Sequence, residues 1–189
     1  LLPLVTHFWE VETARELIEE ISDEIGLPYS DIPPLGIMME VPALLYQLVD
    51  FKDTIDFVSV GTNDLIQYML AVDRNSNLVG HLYSTFHPSV MRTLHEIVLK
   101  TESLGKPVTI CGEMAGTAEG ALALLSLGFK ELSLIPSRAP LIRHLLSRLD
   151  EEKLKNVKYT ILSEKRASEI ERYLREMLAF IDPELTALD

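Results

Sequence analysis

With one cysteine in 189 residues, no internal disulfide can staple this chain, and such usage suits a reducing compartment. Basic residues are few. Seventeen Lys and Arg stand against 29 Asp and Glu, giving a net charge of −12 and a pI near 4.8. A phosphate backbone needs clustered Lys and Arg, so no nucleic-acid partner is expected. Much of the acid lies in helical stretches such as 16–24 and 150–152, which read as solvated faces. No apolar run approaches the roughly 20 residues of a membrane span, so no membrane partner is expected either. Residues 1–5 are apolar but lack the basic start and cleavage site of a secretory signal, and a cytoplasmic location is expected. An initiator Met is also missing, and the chain opens inside a strand-like run, which reads as a piece of a longer protein. There is no Walker loop, because Gly105-Lys106 lacks the glycine-rich cradle and the following Ser or Thr. A G-x-S-x-G elbow is absent too, so an acyl-transfer serine has no support.

What is present is a chain rich enough in apolar residues, at 47%, to build one real core. Strand-like and helix-like segments alternate. Strands are expected at 1–5, 36–40, 55–60, 108–111 and 131–135. Helices are expected at 11–25, from Pro42 to about 51, at 65–71, 88–103, 117–127, 139–149 and 163–181. Strict alternation argues for a parallel sheet with helices packed outside it. About five β/α units are countable, and a closed eight-unit barrel typically takes about 250 residues. The expected fold is therefore α/β, the C-terminal part of a TIM-type β/α barrel, with 1–149 as the partial barrel and 150–189 as a helical extension. A complete five-stranded doubly wound domain is the alternative.

The polar residues collect at the ends of these strands. Glu40 closes the run 36–40; Gly61-Thr62-Asn63-Asp64 follows 55–60; Cys111-Gly112-Glu113 closes 108–111; Ser137 and Arg138 follow the last strand. In a β/α barrel that rim is the catalytic one. Glu40 and Asp64 come from adjacent strand ends, and two carboxylates with open coordination positions suit Mg²⁺. Either one alone could instead cap the helix that follows it. Arg74 offers a fork for phosphate or carboxylate, or it could pair with a surface acid. Cys111 could be a small core residue, or a thiol tuned for acid–base work by nearby amides and a metal. Gly112 and Gly116 would let the backbone approach a ligand closely. His7, His81, His87, His95 and His144 show no metal-ligand spacing, and the connection 81–88 is the longest that could carry function.

Taken together, Gly36-Ile37-Met38-Met39-Glu40-Val41-Pro42-Ala43, Ser59-Val60-Gly61-Thr62-Asn63-Asp64-Leu65-Ile66-Gln67-Tyr68, Ala71-Val72-Asp73-Arg74-Asn75, His87-Pro88-Ser89-Val90 and Cys111-Gly112-Glu113-Met114-Ala115-Gly116 resemble the phosphoenolpyruvate-binding barrel of Enzyme I. That family is the phosphoenolpyruvate–protein phosphotransferase of the bacterial sugar and nitrogen phosphotransfer systems, and the closest resemblance is to the nitrogen-branch form. The resemblance runs to about residue 149. It implies Mg²⁺ on Glu40 and Asp64, and phosphoryl contacts from Asn63 and Arg74 with help from the Gly61 and Thr62 backbone. It also implies Cys111 as the acid that protonates the enolate carbon as pyruvate forms. The phosphoryl group would pass to a histidine on a separate N-terminal domain and then to a small histidine-containing carrier protein, and the enzyme would be a homodimer.

The chain departs from the family in carrying no phosphorylated-histidine motif, and the early barrel strands with their substrate-gripping arginines are missing. Alone it is expected to be inactive. Pyruvate phosphate dikinase and phosphoenolpyruvate synthase share the barrel, although Met114-Ala115 favours the protein phosphotransferase. A non-catalytic dimerisation module is the third reading. A barrel cut between strands would leave unpaired edges at 1–5 and 131–135 and an exposed apolar sheet face, so self-association is expected.

Overall fold

A computed structural model describes residues 1–186. Four parallel strands lie in sequence order: β1 (Gly36–Met39), β2 (Phe57–Gly61), β3 (Val108–Cys111) and β4 (Glu131–Leu132). Each crossover carries helix. After β1 come the short α2 (Leu44–Gln47) and a 3₁₀ turn, Leu48–Phe51, and after β2 come α3 (Thr62–Leu70) and α4 (Pro88–Leu104). The crossover after β3 is α5 (Ala118–Leu127). Helix α1 (Phe8–Glu24) precedes the sheet, and α6 (Ala139–Leu146), α7 (Glu151–Ser163) and α8 (Ala167–Ile181) follow it. The arrangement is a parallel α/β domain with an open sheet of four strands among the described residues.

Strand register explains the two-faced character of the sheet. Met39 pairs with Val60 and Val60 with Ile110, so Ile37, Met39, Val58, Val60 and Ile110 share one face, and all are fully buried. α4 and α5 supply the apolar cover. Val90, Met91, Leu94 and Ile97 from α4 join Ala121, Leu122 and Leu124 from α5 in the same core. α5 is apolar all round because α4, α6, α7 and α8 also pack against it. Met38, Ser59, Thr109 and Cys111 alternate onto the other face. That face is mixed rather than apolar throughout, since Phe57 and Met38 share it with hydroxyls that are tied together: Thr109 Oγ1 donates to Ser59 Oγ at 3.2 Å.

Three sequence expectations shift. Residues 1–5 do not form a strand; a single parallel bridge joins Leu2 to Ile37. Pro3 has no N–H to give, Leu4 turns into the left-handed region at φ 50°, and its N–H is taken by Glu40 Oε2 at 3.0 Å. The last strand stops at Leu132, with one further ladder bond from Ser133 N to the Ile110 carbonyl, before Pro136 begins a 3₁₀ turn. Helix α7 carries the helical stretch expected at 150–152 on to Ser163, ahead of the helix expected at 163–181. Its buried stripe is only Val157 and Ile161, narrow enough to be lost among Lys and Glu. From the helices beyond residue 150, Val157, Ile161, Ile170, Leu174 and Leu178 join the same core as the sheet.

Candidate active site

The strand ends β1, β2 and β3 bring the expected residues onto one rim. Glu40 directly follows β1, and the register places it opposite Gly61. Glu40 is 6% exposed, and its carboxylate accepts the Leu4 N–H. Burial raises its pKa above the ordinary carboxylate value; the Leu4 N–H opposes that rise and the charge of Asp64 adds to it. Two carboxylates close enough to repel, one of them buried, form a site that gains from a divalent cation. On that chemistry the pair fits Mg²⁺.

Gly61 caps α3, so Thr62, Asn63 and Asp64 form the first helical turn rather than a loop before it. Thr62 is fully buried, and its hydroxyl donates to the Cys111 carbonyl at 3.1 Å, clamping β2 to β3 at the rim. Gly112 makes that clamp possible. Its φ is +118°, and a Cβ there would lie 2.2 Å from Thr62 Oγ1. The close approach at position 112 is thus to Thr62, whereas Gly116 has no close approach: an added Cβ would stand 3.5 Å from Arg138 Cγ, an ordinary contact.

Cys111 is half-buried and lies opposite Gly61. Its thiol donates to the Val60 carbonyl at 3.3 Å and accepts from the Ser59 hydroxyl at 3.5 Å. These contacts orient the sulfur at the edge of a cavity of about 690 Å³, which is also lined by Asn63, Glu113, Thr117 and Arg138.

Arg74 follows the left-handed Ala71 that ends α3, and its backbone N–H is held by Gln67 Oε1 at 3.2 Å. Its guanidinium NH1 stands 3.7 Å from Glu113 Oε1. Asn63 reaches the same carboxylate with Nδ2 at 3.5 Å, while Glu113 N–H donates to Asn63 Oδ1 at 3.4 Å. Glu113 was visible in the sequence only as part of a strand-end cluster. Tyr83, inside the connection 81–88, joins the site without any signal in the sequence. Its phenol donates to the Asn63 carbonyl at 3.5 Å. Burial raises its pKa; Arg74 counters that, while Glu113 and Asp64 add to it. No spacing rule points to a tyrosine between Leu82 and Ser84; only the fold brings it to the rim.

Of the five histidines, His87 caps α4, with Nδ1 accepting the Ser89 N–H at 3.2 Å, and His95 Nδ1 lies 3.1 Å from the Leu127 carbonyl. His144 departs from the expectation. Among the described residues, His144, Asp182 and Glu184 are a group of metal-capable side chains whose ligand atoms lie within 4.8 Å of one another. They lie where α6 meets the end of α8, not at the strand ends. Arg148 also reaches Asp182 Oδ2, at 3.5 Å, alongside His144 Nε2 at 3.0 Å. The Glu184 N–H, the His144 hydrogen bond and the His144 and Arg148 charges lower the Asp182 pKa, so this carboxylate already has its counter-charge.

Paired acids, an amide, an arginine and a thiol thus share one rim of a parallel α/β scaffold. A sequence profile of the PEP-utilising enzyme, PEP-binding domain, matches residues 1–151, and the chain belongs to that family. The phosphoenolpyruvate-dependent phosphotransferase system protein of Escherichia coli is 39% identical over 174 residues, covering 90% of this chain and 23% of that protein. The phosphoenolpyruvate-protein phosphotransferase of Borreliella burgdorferi is 32% identical over 181 residues, covering 94% of this chain and 32% of that one. The chain therefore spans only a minor part of the length of these relatives. A citrate lyase from Burkholderia xenovorans shares the fold, with a TM-score of 0.57 and 18% identity over 97% of this chain and 63% of that one. No helix among the described residues is long and apolar enough to cross a membrane.

Proposed function

We propose that this chain is the C-terminal part of a phosphoenolpyruvate–protein phosphotransferase, closest to the nitrogen-branch Enzyme I, and works in the cytoplasm as part of a homodimer. Residues 1–149 are taken as the partial barrel and 150–189 as the helical extension. The observation that carries the reading is the shared rim: Glu40 feels the charge of Asp64, and Asn63 and Arg74 converge on one anionic group beside the Cys111 cavity.

Glu40 and Asp64 would hold Mg²⁺, which when bound neutralises charge on the phosphoryl oxygens. Arg74 and the Asn63 amide bind and orient the phosphoryl group, with backbone N–H groups at the Gly61–Thr62 start of α3 alongside. As the bond from phosphorus to the enol oxygen breaks, the phosphoryl group goes to a histidine nitrogen on the N-terminal domain, and from there to a histidine-containing carrier protein. Cys111 then gives its S–H proton to the enolate carbon, which makes pyruvate and draws the transfer forward. Val60 and Ser59 hold the thiol in place for that step.

The test uses the full-length protein. With phosphoenolpyruvate and Mg²⁺, it should release pyruvate in step with phosphorylation of its own histidine, without any nucleotide. A requirement for ATP or AMP would move the protein to the dikinases or synthases. The absence of any phosphoenolpyruvate turnover would overturn the reading.

A further inference from the structure

We propose that Glu113 is an internal stand-in for the substrate's phosphoryl group. Its carboxylate occupies Asn63 and Arg74 until a phosphoryl-bearing ligand displaces it, and so it sets the affinity of the site. This inference rests on the function proposed above.

Three observations meet here. First, one oxygen, Glu113 Oε1, stands at both groups, 3.5 Å from Asn63 Nδ2 and 3.7 Å from Arg74 NH1. An amide and a guanidinium that converge on a single oxygen are arranged as they would be for an oxygen of a phosphoryl anion. Second, the side chain is 86% exposed, so nothing packs it in place, and it can swing out over the Cys111 cavity that it lines. Third, its backbone is fixed although its carboxylate is not. Glu113 N–H donates to Asn63 Oδ1, and the preceding Gly112 is locked by Thr62. The carboxylate is therefore tethered within reach of Asn63 and Arg74.

The contacts are long for hydrogen bonds and the pair is screened by water, so the hold is weak. It keeps Arg74 aimed into the site while remaining easy to displace. A dianionic phosphoryl group with its metal outbids one exposed carboxylate, whereas a monoanionic carboxylic acid has no such advantage. Glu113 thus raises the selectivity of the site for phosphoryl compounds over simple carboxylates.

The test measures binding of phosphoenolpyruvate with Mg²⁺, and of inorganic phosphate, to the full-length protein. Exposed ion pairs contribute little, so Glu113→Gln is expected to bind both ligands about two- to five-fold more tightly at low ionic strength, with the difference shrinking at high salt. Glu113→Asp, with its carboxylate drawn back, should fall between the two. Glu152→Gln on α7 removes the same unit charge and should leave both affinities unchanged. Unchanged or weaker binding by Glu113→Gln would overturn the stand-in and make Glu113 a simple support for Arg74. The outcomes separate from those of the parent reading: a wild type that turns over phosphoenolpyruvate while Glu113→Gln gains no affinity defeats this inference alone. A wild type that binds neither ligand defeats both.

Discussion

The side chain of Glu40 lies against the Cα of Gly61. A Cβ added there would come within 2.7 Å of Glu40 Cγ and 2.8 Å of its Oε1. Glycine at position 61 therefore does two jobs: it ends β2 and it leaves room for the buried carboxylate.

Gly61→Ala should push Glu40 off its seat. Overpacking of this kind typically costs about 1–3 kcal/mol. Since the displaced group is the proposed metal ligand, Mg²⁺ affinity of the full-length protein should fall at least about tenfold, the equivalent of roughly 1.4 kcal/mol. Titration with Mg²⁺ alongside thermal melts separates the two effects. A folded variant with wild-type Mg²⁺ affinity would show that the position of Glu40 does not matter to the metal.

Glu40→Gln carries a pH signature. Folding raises the Glu40 pKa, mainly through burial, so the folded protein holds this proton more tightly than the unfolded chain does. That contribution favours the fold below the ordinary carboxylate value and is lost as pH rises through the raised one. Without metal, the wild type should therefore lose stability across that window and Glu40→Gln should not. At neutral pH the variant is expected to melt about 2–4 °C higher, the equivalent of roughly 1 kcal/mol for a chain of this size, while losing Mg²⁺ binding. Melts in chelator from pH 4 to pH 8 check it, and equal pH profiles would refute it.

Much of this site could be read from residue order, because strand ends carry their chemistry in sequence. Glu40, the run Gly61 to Asp64, and Cys111 all follow short apolar β-rich segments, and parallel pairing then sets them side by side. What could not be read depends on contacts across long separations. Tyr83 touches Asn63 through a loop that has no periodicity, and Glu113 meets Arg74 only because β3 pairs with β2. The first segment looked like a strand because Leu, Val and Pro3 do not announce that Leu4 will give its N–H to Glu40. In α7 the capping signal was present, since Asp150 accepts the Lys153 N–H, but a two-residue buried stripe is too thin to show a period.

Cys111→Ala in the full-length protein should leave phosphoenolpyruvate binding near normal and reduce pyruvate release by about 10²–10⁴-fold, the usual worth of a general acid. The loss of packing is small, because the thiol is only half-buried and gives up just its contacts with the Val60 carbonyl and the Ser59 hydroxyl. Phosphorylation of the histidine should suffer as well, since the enolate is then left without its proton. Turnover near the wild-type rate would return Cys111 to the role of a small packing residue.

The last expectation concerns this chain by itself. Among the described residues the sheet has weak edges: β4 pairs over only two residues, and beyond β1 stands only the Leu2 bridge. Ile135 is 63% exposed beside the first edge and Leu4 is 50% exposed beside the second. On α1, Trp9 and Leu17 are also exposed, at 61% and 53%. The uncovered face of the sheet adds less than a bare apolar face would, because Ser59 and Thr109 line it and bond to each other. Association should therefore run through edges and helix faces, where unpaired N–H and C=O groups and apolar side chains coincide. Residues 1–189 alone are expected to self-associate, and to bind phosphoenolpyruvate weakly or not at all. Sedimentation over a range of concentrations, with a parallel phosphoenolpyruvate titration, tests both. A monomer at every concentration that binds phosphoenolpyruvate tightly with Mg²⁺ would mean that these β/α units form a self-sufficient domain.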